Sequence, residues 1–235
     1  MNNSNLIKIN EIDNVTVLIK DNILNEELKE HCAKFNFNYV AERPNSGFGE
    51  NNNIVFSSAL ELGLSNSDWF FIINPDANIE LEQFILLTKE IEKTKNKLFT
   101  VSLFKDAGYL EHEHSLRNFP KWIDVLNLFL KKPVNKAYDK VKLDNFSYID
   151  WASGAFLIFK GCLYTELGGF DKKYFMYYED VDICYRARNK FDQKVCFIKS
   201  VSAVHDGAYA NRNIFSKHFY WYLTSLFKFL VSKRL

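Results

Sequence analysis

Trp69-Phe70-Phe71-Ile72-Ile73-Asn74-Pro75-Asp76 is the stretch on which the reading of this chain turns. Five consecutive apolar residues closed by a turn read as a buried strand, and the strand stops abruptly at an acid. Upstream, the β-branched run Val15-Thr16-Val17-Leu18-Ile19 reads as a second buried strand, ending at Lys20-Asp21-Asn22. Between the two lie a helix from Glu26 to Phe35, with Asn25 as N-cap and Leu28, Cys32 and Phe35 at helical spacing, and a short strand Asn38-Tyr39-Val40. The loop Arg43-Pro44-Asn45-Ser46-Gly47-Phe48-Gly49 then opens a helix with Ile54, Val55, Ser58, Ala59 and Leu62 on one face. Downstream, Leu81 to Lys93 reads as a helix and Leu98 to Phe104 as a strand. This alternation predicts an α/β fold whose mostly parallel sheet is flanked by helices. Ligands of such sheets bind beyond the carboxyl ends of the strands, and Asp21, Asn45 and Asp76 all fall at or just after strand ends.

The second half has a different character. Residues 105–146 read as a long polar connection with one short amphipathic helix, Trp122 to Leu130. Tyr148 to Phe159 is a strand interrupted at Ser153-Gly154, the mark of a bulge or a close backbone approach. An aromatic-rich turn, Gly168-Gly169-Phe170-Asp171-Lys172-Lys173-Tyr174-Phe175-Met176-Tyr177-Tyr178, delivers Glu179 and Asp180 to the start of a helix running to Arg188. Asp182 and Arg186 pair at i,i+4 on that helix. Val195 to Val204 is a strand ending at His205, and Ile214 to Val231 is a final helix.

Bulk composition narrows the classes. The 235 residues suit one α/β domain or two small ones, and the 47% hydrophobic content can fill a sizeable core. A net charge of +1, from 30 basic and 29 acidic residues, argues against a nucleic-acid binder. The 16% aromatic content fits a stacking pocket or a membrane-facing side, and fits equally a codon bias toward Phe and Tyr. Cys32, Cys162, Cys184 and Cys196 show no Cys-x-x-Cys spacing, so they read as thiols in a reducing cytoplasm rather than zinc ligands. The polar start Met1-Asn2-Asn3-Ser4-Asn5 lacks a signal core, and no stretch is apolar enough to span a bilayer. The expected location is the cytoplasm, at most peripheral on the inner face of the membrane.

Four blocks in order carry a resemblance: Asp21-Asn22; Asn45-Ser46-Gly47-Phe48-Gly49 with Asn53; Asn74-Pro75-Asp76; and Trp151-Ala152-Ser153-Gly154-Ala155 through Gly168-Gly169-Phe170-Asp171 and Glu179-Asp180-Val181-Asp182 to His205. Together they resemble glycosyltransferase family 2, and within it the rhamnosyltransferase-like branch of bacterial surface-polysaccharide enzymes. The resemblance implies a single GT-A (Rossmann-like) domain over 1–235, with a nucleotide-binding half at 1–104, an acceptor and catalytic half at 105–210 and a C-terminal amphipathic helix at 211–235. It departs from the family at its start. About twenty residues precede Asp21, too few for strand, helix and strand, so a shortened N-terminus is expected, with Leu6-Ile7-Lys8-Ile9 as a substitute edge strand in a hairpin with Val15 to Ile19.

By the same resemblance, Asp76 and His205 bind a divalent cation, Mg²⁺ or Mn²⁺, that bridges the phosphates of a nucleotide-sugar, with Asn74 standing where the family often has a first acid. Asp180 is the general base and Glu179 orients the acceptor or holds Asp180. Asp21 accepts hydrogen bonds from the nucleotide base, Asn45 and Asn53 contact base or ribose, and Gly47 and Gly49 let the loop approach the ligand. Arg117 pairs with phosphate and Trp151 walls the sugar site. Each has a plainer reading: Asn-Pro-Asp as a turn, His205 as a satisfied strand-end residue, Glu179 and Asp180 as helix caps, Trp151 as core. The helix start is expected to lower the pKa of Asp180. Glu111-His112-Glu113-His114 lacks a spaced partner motif and is set aside as a metal site. The last helix, with Lys217, Lys228, Lys233 and Arg234, packs on the core or lies on an anionic bilayer.

The function implied is an inverting, metal-dependent transferase. It moves L-rhamnose from dTDP-rhamnose, or a hexose from a UDP donor, to a saccharide or lipid-linked oligosaccharide. A sugar nucleotidyltransferase would need a Gly-rich basic loop near its start, which this chain lacks. A non-catalytic binding module stands as the third reading, motivated by the short N-terminus.

Overall fold

The computed structural model describes residues 4–130, 133–207 and 216–233. Ile214, Phe215 and Arg234, counted above in the last helix, lie outside the described residues. The chain opens with α1 (Ser4–Asn10), β1 (Leu18–Lys20), α2 (Glu26–Lys34) and β2 (Asn38–Val40). Then come α3 (Phe48–Glu61), β3 (Trp69–Ile73), β4 (Ala77–Asn78), α4 (Leu81–Ile91) and β5 (Leu98–Phe104). The connection holds β6 (Leu116–Arg117), a 3-10 turn (Trp122–Val125) leading into α5 (Leu126–Phe129), and a second 3-10 turn (Lys140–Lys142). The expected interrupted strand is three pieces: β7 (Ser147–Ile149), β8 (Trp151–Ala152) and β9 (Phe156–Lys160). Then follow α6 (Gly161–Leu167), α7 (Glu179–Phe191), β10 (Val195–His205) and α8 (Lys217–Ser232).

Six strands form the main sheet in the order β3-β9-β5-β10-β4, with β7 also on β10. Within this sheet, among the described residues, only β5 and β10 pair in parallel; β9 runs antiparallel to both β3 and β5, and β4 and β7 run antiparallel to β10. The sheet is therefore mixed where a mostly parallel one was expected. The reason is the connection after β5: it returns the chain to the far end of the sheet, so β9 enters between β3 and β5 in the opposite sense. Period-2 alternation splits the core over the two faces. Leu157 and Phe159 of β9 join Phe56, Phe70, Tyr164 and Phe197, whereas Phe156 and Ile158 join Phe84, Leu87, Ile91 and Val101. Thr100, on a strand with every residue buried, donates its hydroxyl to the Phe156 carbonyl at 2.8 Å.

The N-terminal expectation is corrected. Residues 6–9 form helix, not edge strand, and the spacing explains it: Ile9 turns inward, 3% exposed, into the core that α4 lines. β1 pairs in parallel with β2 alone, Leu18 to Asn38 through Lys20 to Val40. A cleft of about 1110 Å³ lies between β1 and β3, lined by the apolar side chains of both strands and by polar residues that include Asn22, Asn51 and Asn74. Another element missed by the sequence reading is α6, closed by Gly168 and Gly169 at φ +67° and +68°, a left-handed exit that glycine adopts without strain. The four cysteines are free thiols. Among the described residues no helix is long and apolar enough to cross a membrane.

Candidate active site

Asn74-Pro75-Asp76 is anchored at both ends. The Asn74 N–H donates to the Ala155 carbonyl at 3.0 Å, and the Ala77 N–H closes the turn on the Asn74 carbonyl at 2.9 Å. The two residues of β4 then pair with the last two of β10, Ala77 against His205 and Asn78 against Val204. A register shift in β10 between Ile198 and Ser202 bends the strand that carries this end. His205 is buried at 7% exposure, its Nδ1 3.0 Å from Glu113 Oε2. Its Nε2 lies 3.2 Å from Asp76 Oδ1 yet has no hydrogen-bond partner. Glu113 is itself buried and held by its own N–H on the Leu103 carbonyl at 3.0 Å. Burial pulls the His205 pKa down, but the Glu113 hydrogen bond and the charges of Glu113 and Asp76 reverse this and leave it raised.

This arrangement fits a divalent cation. With Nδ1 on the Glu113 carboxylate, the neutral ring would present its Nε2 lone pair toward the half-exposed Asp76 carboxylate, and that nitrogen has no hydrogen-bond partner. No cluster of three His, Cys, Asp or Glu side chains suited to a metal occurs among the described residues. An ion held here would take Asp76 and His205 from the protein, and oxygens of the substrate or water would have to complete its shell.

The second acid pair stands at the start of α7. Tyr177 and Tyr178 both adopt left-handed backbone, φ +67° and +68°, which costs of order 1–3 kcal/mol each in a non-glycine residue. Packing holds them there. The Tyr178 ring is buried at 5.9 Å from Phe229, its hydroxyl reaches Asn135 and Tyr222, and the Tyr177 hydroxyl meets His218 at 3.0 Å. The resulting corner sends the next two side chains in different directions. Glu179 is buried at 6% exposure with Oε2 unpartnered. Half-buried Asp180 takes the Gly154 N–H on Oδ2 at 3.1 Å and the Val181 N–H on Oδ1 at 2.8 Å. Burial, then the charge of Asp180, push Glu179 well above the carboxylate range. Burial also raises Asp180, against the pull of the backbone donors and the Arg117 charge. This corrects the expected lowering: desolvation outweighs the helix start. The two carboxyls thus sit in unequal environments, Glu179 sealed with an unpartnered Oε2 and Asp180 held by two backbone N–H groups.

One backbone segment links the two acid groups. Gly154 donates to Asp180, and Ala155, its neighbour, accepts from Asn74. A Cβ on residue 154 would lie 2.8 Å from the outer edge of the Phe48 ring, so the close approach read at Ser153-Gly154 is real and any larger residue would have to displace that ring. Arg117 is held against this rim by its Nε on the His114 carbonyl at 2.8 Å and by its pairing with Trp151.

Other expected residues are committed to the fold. Asp21 is 1% exposed and its carboxylate is filled by the N–H groups of Ile23, Leu24 and Asn25 and by the Tyr39 hydroxyl. Burial opposes its charge, but these donors leave its pKa lowered. It caps the corner after β1 and has no face free for a base. Asn53 spends its side chain on the Tyr164 hydroxyl and on both the N–H and carbonyl of Phe170, which rivets α3 to the turn before α7. Gly47 and Gly49 pack closely on protein: a Cβ would strike the Phe175 carbonyl in the first case and sit 2.7 Å from Phe170 Cβ in the second. Trp151 is core, 7% exposed, with its indole N–H on the Asn118 carbonyl at 2.9 Å. Asn45 is exposed, at φ +63°, with its N–H on the Asn22 carbonyl. Glu113 lies inside Glu111-His112-Glu113-His114, whose local spacing gives no sign of its contact with His205. The signal for it was one acid in a polar connection, with its partner His205 ninety-two residues away.

No family model matches the chain. It is 29% identical to the rhamnosyltransferase WbbL of Escherichia coli (strain K12) over 217 residues, 92% of this chain and 81% of that protein. It is 28% identical over 104 residues to an N-acetylglucosaminyl-diphospho-decaprenol L-rhamnosyltransferase of Mycobacterium tuberculosis (strain CDC 1551 / Oshkosh), 44% of this chain and 34% of that one. Its fold is shared with GalNAc-T7, solved with UDP, GalNAc and Mn²⁺, at TM-score 0.61 and 14% identity over 90% of this chain and 41% of that chain. The chain is a glycosyltransferase of the GT-A fold, similar to the rhamnosyltransferase-like branch of glycosyltransferase family 2.

Proposed function

We propose that the chain transfers L-rhamnose from dTDP-rhamnose to a hydroxyl of a glycan or lipid-linked oligosaccharide during surface-polysaccharide assembly, by a single displacement that inverts the anomeric centre. The observation that carries this reading is the link between the acid groups: Asn74 and Asp180 both bond the Gly154-Ala155 backbone, with His205 facing Asp76. In this reading Asp76 and His205 hold a Mg²⁺ or Mn²⁺ ion, which when bound offsets charge on the departing nucleoside diphosphate. Glu113 keeps the His205 ring oriented.

Asp180 takes the proton from the acceptor hydroxyl as that oxygen attacks the anomeric carbon. Its raised pKa makes it a stronger base than an ordinary carboxylate, while two backbone donors keep it aimed. Glu179, neutral behind it, adds no second negative charge to the acceptor side. Arg117 adds positive charge to the same rim. The cleft between β1 and β3, which Asn22, Asn51 and Asn74 help to line, is the proposed entry for the nucleotide.

The test is a donor screen with released nucleoside diphosphate as readout, run with and without Mg²⁺ or Mn²⁺. Release from dTDP-rhamnose that needs the ion and vanishes in Asp180→Asn is the expected result. Release only from UDP-hexoses would replace the donor assignment, and no release from any donor would favour a binding module.

A further inference from the structure

We propose that the 122–130 segment and the outer stripe of α8 form one face that docks on an anionic lipid bilayer. Single exposed apolar side chains are ordinary on a protein surface. Here they collect. Trp122, Ile123, Leu126 and Leu130 are all exposed, Ile123 at 66% and Leu130 at 63%. Across from them Tyr220, Phe227 and Val231 stand exposed along one side of α8, and the Phe227 and Trp122 rings meet at 6.3 Å. The core has no use for this stripe: α8 packs inward through Leu226, Phe229 and Leu230, all buried.

Charge selects the occupant. Lys121, Lys217 and Lys228 are exposed at the margins. The helix from Lys217 to Ser232 contains no acid, in a chain whose total charge is only +1. The acid on the neighbouring turn, Asp124, is turned onto the Lys121 N–H at 2.8 Å. Trp, Tyr and Phe among aliphatic side chains, bordered by lysine, is the composition of an interfacial surface that rests in the headgroup layer. A protein partner would demand shape complementarity; a bilayer demands only this composition on an accessible face.

Position gives the contact a use. The inner side of α8 braces the loop that leads to Glu179: Ser225 donates its hydroxyl to the Met176 carbonyl at 3.0 Å, and the Trp221 and Phe175 rings lie 4.9 Å apart. A docked α8 holds the acceptor side of the site at the membrane, where a lipid-linked acceptor is held. That purpose rests on the proposed function; the lipid contact does not, because it is measured without donor or acceptor.

The experiment is sedimentation of the full chain with sucrose-loaded vesicles of phosphatidylcholine and phosphatidylglycerol at 7:3, against pure phosphatidylcholine. Wild type should bind the anionic vesicles and lose binding as salt rises. The double variant Ile123→Glu/Leu126→Glu and the single variant Phe227→Ser, all at exposed positions, should weaken partition roughly tenfold or more while thermal melts stay unchanged. Wild type remaining in the supernatant, or variants that sediment as well as wild type, would overturn the proposal. So would velocity sedimentation showing a dimer that these same variants dissociate, since the face would then belong to a second copy.

Discussion

Asp180 and Glu179 differ by one position and by everything around them. Asp180 has two backbone donors and access to the rim; Glu179 has burial and an unpartnered oxygen. Asp180→Asn should therefore lower turnover by about 10²–10⁴-fold, and Glu179→Gln should keep most of it. The acid limb of kcat/KM should be displaced upward from the ordinary aspartate value, with the rate rising as pH rises, and should survive Glu179→Gln; a limb that disappears in that variant would reassign the base. Stability carries a separate signature. The Glu179 pKa is raised on folding, so its contribution is complete below the unfolded value and falls as pH rises toward the folded one. Glu179→Gln should leave Tm unchanged in acid and raise it near neutrality by about 2–4 °C for each kcal/mol recovered, read by thermal melts across pH. Adjacent acids at a helix start were legible in sequence, but their division of labour was not. It depends on Tyr177 and Tyr178 adopting left-handed backbone, which only the surrounding aromatic packing enforces.

Elements explain which motif residues build the site and which hold it together. Asp21 and Asn53 lie in conspicuous motifs, yet both spend their polar atoms on backbone, one at the corner after β1 and the other between α3 and the turn before α7. Asp21→Ala should cost about 1.5–3 kcal/mol of stability through loss of charge-assisted bonds. Because its pKa is lowered, that contribution is present above the unfolded value and is lost as pH falls through the folded one. Chemical denaturation at neutral and acid pH checks both statements. Glu113 acts across elements, from the connection after β5 to the end of β10. Glu113→Gln should weaken Mn²⁺ binding in the presence of nucleoside diphosphate by about 10–100-fold without removing a ligand, measured by titration calorimetry. Strand and helix positions were readable here because apolar periodicity is local. β9 entering antiparallel was not, because strand order is set by the path of the 105–155 connection, which carries little periodicity of its own.

At the scale of the molecule, two sets of acids separated by about a hundred residues share one rim because β10 brings His205 to β4 while β8 and β9 carry Gly154 and Ala155 to both. Order of motifs along the chain announced this arrangement; the hydrogen bonds that make it were hidden in a two-residue strand and a backbone amide. The most direct check is a calorimetric titration of dTDP with Mn²⁺ into wild type, Asp76→Ala and Asp180→Asn. The account predicts binding to wild type and Asp180→Asn alike and its loss in Asp76→Ala. Equal binding by Asp76→Ala, or loss of binding on Asp180→Asn, would contradict it.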